Sequence, residues 1–343
     1  MEKSKILFFS IGDLGISSSR ARVYEYLPYF REQGIDVVII PLVQYERGEG
    51  VIKNKWVRYG KEIKRILSVI QKSPLFGIVF IQRVILPPFL HSVLRKRSRK
   101  MVYDVDDAVY LILNERQQVS FKNRLSSYDG VIVSNDFLYR ELSPYTKKII
   151  SLPTCVNTEY LIPDLKKTNS QDNKVKIGWI GTPHSERYLL TLTSVFAKLK
   201  ELHLSFELSF IASGRALFHD IPINAKRWCR TTELADLQEM DIGIMPLPEG
   251  KWEQMKSGYK ILQYMAVGIP VVASGVGINQ ILVRHGENGF IANSDWEWIQ
   301  YLSLLLNDSS RRKQMGENGR RFVEKNFNHG VNFGRLYQFL SSV

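Results

Sequence analysis

Cysteine is nearly absent. Cys155 and Cys229 are too few and too far apart for a disulfide framework or a cysteine-rich zinc site, so a reducing, cytoplasmic setting is the simpler expectation. No apolar run is long enough to cross a bilayer. The start, Met1-Glu-Lys-Ser-Lys-Ile-Leu-Phe-Phe-Ser10, is a charged tip running into a strand, without the apolar stretch and small-residue cleavage site of a signal peptide. The histidines, His184 and His285 among them, do not fall at metal-ligand spacings, and His285 reads as part of a surface turn. Acidic residues are scarce in one place: residues 51–100 hold 13 Lys/Arg against Glu62 alone.

With 44% hydrophobic and 24% charged residues the chain is globular, and 343 residues are more than one typical core accommodates, so two domains are expected. The net charge is +13, of which +12 falls in residues 51–100, leaving +1 for the remainder. One face of one domain is therefore strongly basic, suited to an anionic membrane surface or to nucleic acid.

Apolar strands alternate with helices in both halves. Ile6–Ile11, Val37–Leu42, Ile78–Gln82, Met101–Val105, Gly130–Ser134 and Lys148–Leu152 read as strands. Helices are expected at Arg20–Gln33, ended by Gly34, at Lys53–Lys72 and at Phe89–Arg97. A polar stretch at Asp164–Lys174 has linker composition, after which the pattern restarts with the strand Val175–Ile180. A helix at Ser185–Leu202, strands at Ser205–Ile211, Asp241–Met245 and Pro270–Ala273, and a helical tail from Asp295 to Leu340 complete it. This is an α/β pattern of two doubly wound parallel sheets, whose ligands sit at the carboxyl ends of strands.

The segment Lys256-Ser-Gly-Tyr-Lys-Ile-Leu-Gln-Tyr-Met-Ala-Val-Gly-Ile-Pro-Val-Val-Ala-Ser274 reads as loop, short helix, glycine turn and buried strand. A helix start suits a phosphate, because its N–H groups and partial positive charge point outward. Gly258 permits close backbone approach, Lys256 and Lys260 lie one turn apart within reach of a diphosphate, and Gln263 is placed for a ribose hydroxyl. Taken alone, the same residues would also make a solvated basic helix packed by its apolar face.

The segment resembles the donor site of family-4 retaining glycosyltransferases (glycosyl transferases group 1), which have the GT-B fold of two Rossmann-like domains facing across a cleft. Ile177-Gly-Trp-Ile-Gly-Thr-Pro183 resembles the first strand and glycine loop of the C-terminal domain, and Asp241-Ile-Gly-Ile-Met-Pro-Leu-Pro248 the strand before the donor loop. Gly275-Val-Gly-Ile-Asn279 and His285-Gly-Glu-Asn-Gly-Phe-Ile-Ala292 resemble the family's segments C-terminal to the donor helix. Val79-Phe-Ile-Gln-Arg83, Tyr103-Asp-Val-Asp-Asp107 and Val131-Ile-Val-Ser-Asn135 fit a branch of the family in the first half. The resemblance implies an N-terminal acceptor-side domain (1–160), a C-terminal donor-binding domain (161–325) and a last helix (326–343) crossing back. It departs in one respect: Met255 and Gln263 stand where many members carry two glutamates, leaving Glu249, Glu253 or loop backbone to meet the sugar.

The resemblance also implies that Gly181, Thr182 and Arg187 face the donor diphosphate with Lys256, Gly258, Tyr259, Lys260 and Gln263. The loop Gly12–Ser19, with Gly15, Ser19 and Arg20, would face the cleft, although Ser17, Ser18 and Ser19 would equally serve as helix caps. Asp104, Asp106 and Asp107 form the catalytic candidate, a polar cluster orienting the acceptor hydroxyl or accepting its proton, with Arg83 beside it; helix capping is the alternative. Asp104 aligns best with the family's catalytic position. A metal on this Asp-x-Asp is not expected, since GT-B enzymes generally work without one.

On Lys53–Lys72 the residues Trp56, Tyr59, Ile63, Ile66 and Ile70 form one stripe, expected to pack on the sheet. The surrounding charge, with Arg95-Lys-Arg-Ser-Arg-Lys100, suits anionic headgroups. The expectation is thus a cytoplasmic, membrane-peripheral glycosyltransferase for cell-surface polysaccharide or glycoconjugate synthesis. It would use a nucleoside diphosphate sugar, no cofactor or metal, and a saccharide or lipid-linked acceptor, with domain closure excluding water. No nucleic-acid partner is expected, for want of a motif or stacking platform. The alternatives are a nucleotide-sugar epimerase on the same fold, a non-catalytic family member, and a basic nucleic-acid-binding module.

Overall fold

The computed structural model describes residues 5–45, 55–165, 174–212 and 223–343; the linker expected at Asp164–Lys174 and the start of the helix expected from Lys53 fall largely outside them. The chain forms two compact units, Met1–Cys155 with His329–Val343, and Val156–Asn328.

The first unit is built on β1 (Lys5–Gly12), β2 (Asp36–Val43), β3 (Ile78–Gln82), β4 (Lys100–Val105), β5 (Gly130–Val133) and β6 (Ile149–Ser151). They pair in the order β2-β1-β3-β4-β5-β6, and every pairing is parallel. Continuous apolar strands are what a parallel sheet covered on both faces requires. Phe8, Phe80, Val102 and Ile132 project into a core that Phe30 and, from the C-terminal helix His329–Ser342, Phe333, Leu336 and Phe339 complete.

The second unit carries β7 (Val175–Ile180), β8 (Phe206–Ala212), β9 (Ile223–Arg227), β10 (Ile242–Met245), β11 (Val271–Ser274) and β12 (Gly289–Ala292), in the parallel order β12-β11-β10-β7-β8-β9. Tyr264, fully buried, ties the two central strands: its hydroxyl accepts from the Ile180 N–H at 2.9 Å and donates to the Ile244 carbonyl at 3.3 Å.

Three expectations are corrected. The helix expected over Arg20–Gln33 is three pieces, Ser17–Arg22, a 3₁₀ turn Tyr24–Tyr26, and Leu27–Glu32. Pro28 sits in the first turn of the last piece, where its missing N–H and ring are tolerated; inside one continuous helix they would not be. The helix expected over Ser185–Leu202 begins as a 3₁₀ segment, Glu186–Leu192, and becomes α-helical at Thr193. Thr191 and Thr193 each donate their hydroxyl to the carbonyl three residues back, at 2.7 and 2.8 Å, which favours the tighter turn. On the helix Lys55–Lys72, Ile66 and Ile70 are buried with Val69, while Trp56, Tyr59 and Ile63 are exposed. This helix packs beside β2, an edge strand half-buried along most of its length, which gives too little surface to cover the whole stripe.

Candidate functional site

Strand order in the first sheet reverses between β1 and β3, the place where a doubly wound sheet opens a crevice at its carboxyl end. Ser10, Gln82 and Asp104 lie in one row across β1, β3 and β4 at that end. The serine-rich loop reaches the same row. The N-cap of Ser17–Arg22 is Ile16, without a side-chain cap, so Ser17, Ser18 and Ser19 are in the first turn and do not cap it. Ser19 Oγ accepts from the Gly12 N–H at 3.0 Å and donates to Gln82 Oε1 at 3.1 Å. Gln82 Nε2 donates to Ser18 Oγ at 2.7 Å, and Ser18 in turn donates to Asp106 Oδ2.

Asp106 is buried, its carbonyl accepts from Ser134 Oγ at 2.6 Å, and its Oδ1 accepts from the Asp107 N–H at 3.0 Å. Arg83 closes the cluster with an Nη1 3.6 Å from Asp106 Oδ2 and 3.7 Å from Asp107 Oδ2. Burial opposes the Arg83 charge, but Asp106 and Asp107 more than offset it, leaving its pKa above the ordinary value. Its φ of 62° is a conformation an arginine adopts only when its surroundings impose it, and its N–H is held by the Asp104 carbonyl at 3.0 Å.

Asp104 stands apart from this group. It is fully buried, and both its oxygens accept from Arg22, whose Nη1 also donates to the Leu152 and Pro153 carbonyls at 2.8 and 3.0 Å. Burial opposes the Arg22 charge and Asp104 outweighs it, raising the guanidinium pKa. Asp104 thus anchors the loop, and Asp106 is the carboxylate held among polar side chains. Arg20 is buried, with Nη1 on the Leu14 carbonyl at 3.2 Å and Nε 3.9 Å from Glu25, and Gly15 donates its N–H to Asp13 Oδ1 at 3.0 Å within the turn.

In the second sheet the order reverses between β7 and β10. Lys260, at the start of the helix Tyr259–Ala266, lays its Nζ over the buried Trp179 ring, 4.2 Å from the centroid, and donates to Ser185 Oγ at 3.3 Å. A Cβ on Gly181 would lie 2.8 Å from that Nζ and 2.2 Å from the Trp179 ring, so the ammonium sits directly against the glycine. Thr182 donates its N–H to Ser185 Oγ at 3.1 Å, closing the loop around the same hydroxyl. Gly258 caps the helix at φ 70°, with Leu282 2.4 Å from where a Cβ would stand, so both conformation and space require glycine.

Lys256 takes a different direction, its Nζ 5.7 Å from the ring centroids of both Tyr188 and Trp252. Tyr188 donates to Glu253 Oε1 at 2.5 Å, and the exposed Arg187 lies over the Tyr188 ring. Tyr259 packs against the apolar core. Gln263 is buried and donates to Glu233 Oε1 at 3.1 Å, an oxygen that also accepts from Trp228 Nε1 at 3.0 Å; Met255 is buried as well. The structure therefore groups Lys260 with Gly181 and Thr182, and holds Arg187 and Lys256 around Tyr188. Ser18, Gln82, Trp179, Ser185, Tyr188 and Glu233 were not among the expected site residues. Gln82 and Trp179 lie inside the motifs that carry the resemblance and Ser18 inside the loop expected to face the cleft, while Ser185, Tyr188 and Glu233 gave no signal of their own. Among the described residues no three His, Cys, Asp or Glu side chains converge as a metal-binding group.

Residues 174–308 match the family described as "Glycosyl transferases group 1". This segment is a glycosyltransferase domain. The group 1 domain includes β7 to β12 and the Lys260–Gly181 pairing. Spore coat protein SA of Bacillus subtilis is 34% identical over 67 residues, a match spanning 18% of this chain and 18% of that protein. Sucrose-phosphate synthase from Thermosynechococcus elongatus superposes with a TM-score of 0.71 at 14% identity, covering 99% of this chain and 100% of that one. HepE of Anabaena, in complex with UDP and glucose, gives 0.67 at 14% identity over 99% and 100% of the two chains. At such identities the likeness establishes the fold, which is GT-B.

Proposed function

We propose that the chain is a retaining glycosyltransferase of the family-4 type. It transfers a sugar from a nucleoside diphosphate donor to a hydroxyl of a saccharide or lipid-linked saccharide, in the synthesis of cell-surface polysaccharide or glycoconjugate. The observation that carries the proposal is the Lys260 ammonium, set by Trp179 and Ser185 against Gly181 at a helix start. A cation in that position, with the helix dipole, stabilises a departing diphosphate without assigning that work to a metal. Lys256 and Arg187, lying around Tyr188, add positive charge on the donor side. On the acceptor side Asp106 orients the hydroxyl or takes its proton, Arg83 and Ser18 hold Asp106, and Asp107 supports Arg83. The basic segment 51–100 keeps the enzyme at the cytoplasmic face of an anionic membrane.

A panel of UDP-, GDP-, ADP- and dTDP-sugars in a thermal-shift assay tests the donor assignment, because a bound donor stabilises the fold by mass action. Lys260→Ala is expected to weaken the stabilising nucleotide by about 10- to 100-fold, the worth of a hydrogen bond to a charged group. Unchanged affinity and turnover in that variant would remove the diphosphate role. A second reading, donor binding without turnover, is favoured by Gln263 being engaged with Glu233 and by the burial of Met255. Product analysis with and without acceptor separates it from transfer, and separates an epimerase from both.

A further inference from the structure

We propose that the helix Lys55–Lys72 enters the headgroup layer of an anionic bilayer, placing Trp56, Ile63 and Leu67 at the acyl boundary while its lysines meet lipid phosphates. This rests on the membrane-peripheral reading above and goes further, replacing adsorption by charge with insertion.

Trp56, Ile63 and Leu67 are 84, 52 and 53% exposed and share one helix face by their spacing. Three large apolar side chains along one face are more than scattered surface hydrophobes require. Lys64 is exposed on the flank of that face, and Lys61 is exposed further round the helix. The helix's one acid, Glu62, lies 3.6 Å from Arg58. The helix packs against Pro88–Arg97, which adds exposed Phe89 and a cationic end at Lys96 and Arg97. An apolar face with lysines around it is the pattern of a helix lying in a membrane interface.

Charge selects this occupant. A second copy of the chain would bring two strongly basic segments together, a like-charge encounter that opposes association. Nucleic acid would satisfy the lysines but leave the aliphatic Ile63 and Leu67 without a stacking partner. An anionic bilayer satisfies both kinds of side chain.

Flotation with vesicles of phosphatidylglycerol and phosphatidylcholine, against phosphatidylcholine alone, tests the proposal. Wild-type protein is expected to float with the anionic vesicles and to stay partly bound in about 1 M salt, where the screening length is about 3 Å. The exposed double variant Ile63→Ser with Leu67→Ser should float at low salt and be released at high salt. Lys61→Gln with Lys64→Gln should weaken binding at low salt and leave the salt-resistant fraction in place. Trp56→Phe should remove most of the fluorescence blue shift that vesicles induce. Equal salt-resistant binding by the Ser variant and wild type overturns insertion and leaves charge-driven adsorption standing. Wild-type dimers that the Ser variant abolishes make the face an interface between copies and overturn it too. Absence of flotation at any salt overturns both insertion and the membrane-peripheral reading. The donor assignment is tested separately, by thermal shift in vesicle-free solution.

Discussion

Gly181 and Lys260 make one unit of structure, and a single methyl group tests it. Adding a Cβ at Gly181 would bring it 2.2 Å from Trp179 and 2.8 Å from Lys260 Nζ. Trp179 is fully buried and cannot move aside, so the flexible lysine is displaced. Gly181→Ala is expected to cost about 1–3 kcal/mol of stability from overpacking and to reduce donor affinity as far as Lys260→Ala does. Isothermal titration of both variants checks this; Gly181→Ala with wild-type affinity would detach the glycine from the site. The two buried carboxylates call for different outcomes. Asp104→Ala leaves Arg22 buried without its counter-charge and should lower stability by about 3–5 kcal/mol. Asp106→Asn preserves shape but puts an amide where two oxygens accept from Ser18 and Asp107, so it should cost less, about 1–3 kcal/mol, while turnover falls by about 10²- to 10⁴-fold. Chemical denaturation and steady-state kinetics on the pair separate anchoring from chemistry. That contrast was not legible in Asp104-Val-Asp-Asp107 itself. The motif shows three carboxylates at a strand end, but the partner that occupies Asp104 lies 82 positions away and the hydroxyl that holds Asp106 lies 88 away.

Among the elements, the helix Pro88–Arg97 carries a titratable group in its buried face. His91 is buried, with its ring 5.2 Å from that of Tyr128 and its Nε2 3.2 Å from Ser127 Oγ. Burial, together with Arg124 and Arg95, holds its pKa down at about 4 against an ordinary value of 6.5. The unfolded chain therefore takes up this proton first as pH falls. Stability from the neutral ring is complete above about pH 6.5 and is lost progressively toward pH 4, by on the order of 2 kcal/mol. His91→Gln is expected to flatten that acid limb, which urea midpoints measured between those pH values will show; an unchanged slope would assign it to other groups. Legibility differed among the elements for physical reasons. Interior strands such as β1 and β3 read directly as apolar runs because both their faces are buried. The edge strand β9, Ile-Asn-Ala-Lys-Arg, carries polar residues and gave no such signal. The apolar stripe of Lys55–Lys72 was visible, but its periodicity carries no information on how much neighbouring surface is available to bury it. That amount depends on β2 being an edge strand, a property of sheet order rather than local sequence.

At the scale of the molecule, each unit has a core of its own, and the first depends on a chain end that comes after the whole of the second. Phe333 is the key residue in that return. Its ring lies 5.1 Å edge-on from Phe30 and 5.5 Å stacked on Tyr29. Phe333→Ala should cost the first unit about 3–5 kcal/mol through lost burial and the cavity left behind. On the proposed assignment the donor acts on the other unit, since Lys260, Gly181 and Ser185 all lie within Val156–Asn328. At a donor concentration about 100 times its Kd, that unit gains about 2.7 kcal/mol. Calorimetry is therefore expected to resolve two transitions, one lowered by Phe333→Ala and the other raised by the nucleotide-sugar, each with little effect on its neighbour. The variant should keep its donor affinity while losing acceptor turnover as the temperature approaches its lowered transition, because the groups around Asp106 unfold first. A single transition moved equally by the mutation and by the donor would show that the two cores unfold together, and that helix His329–Ser342 stabilises the whole chain.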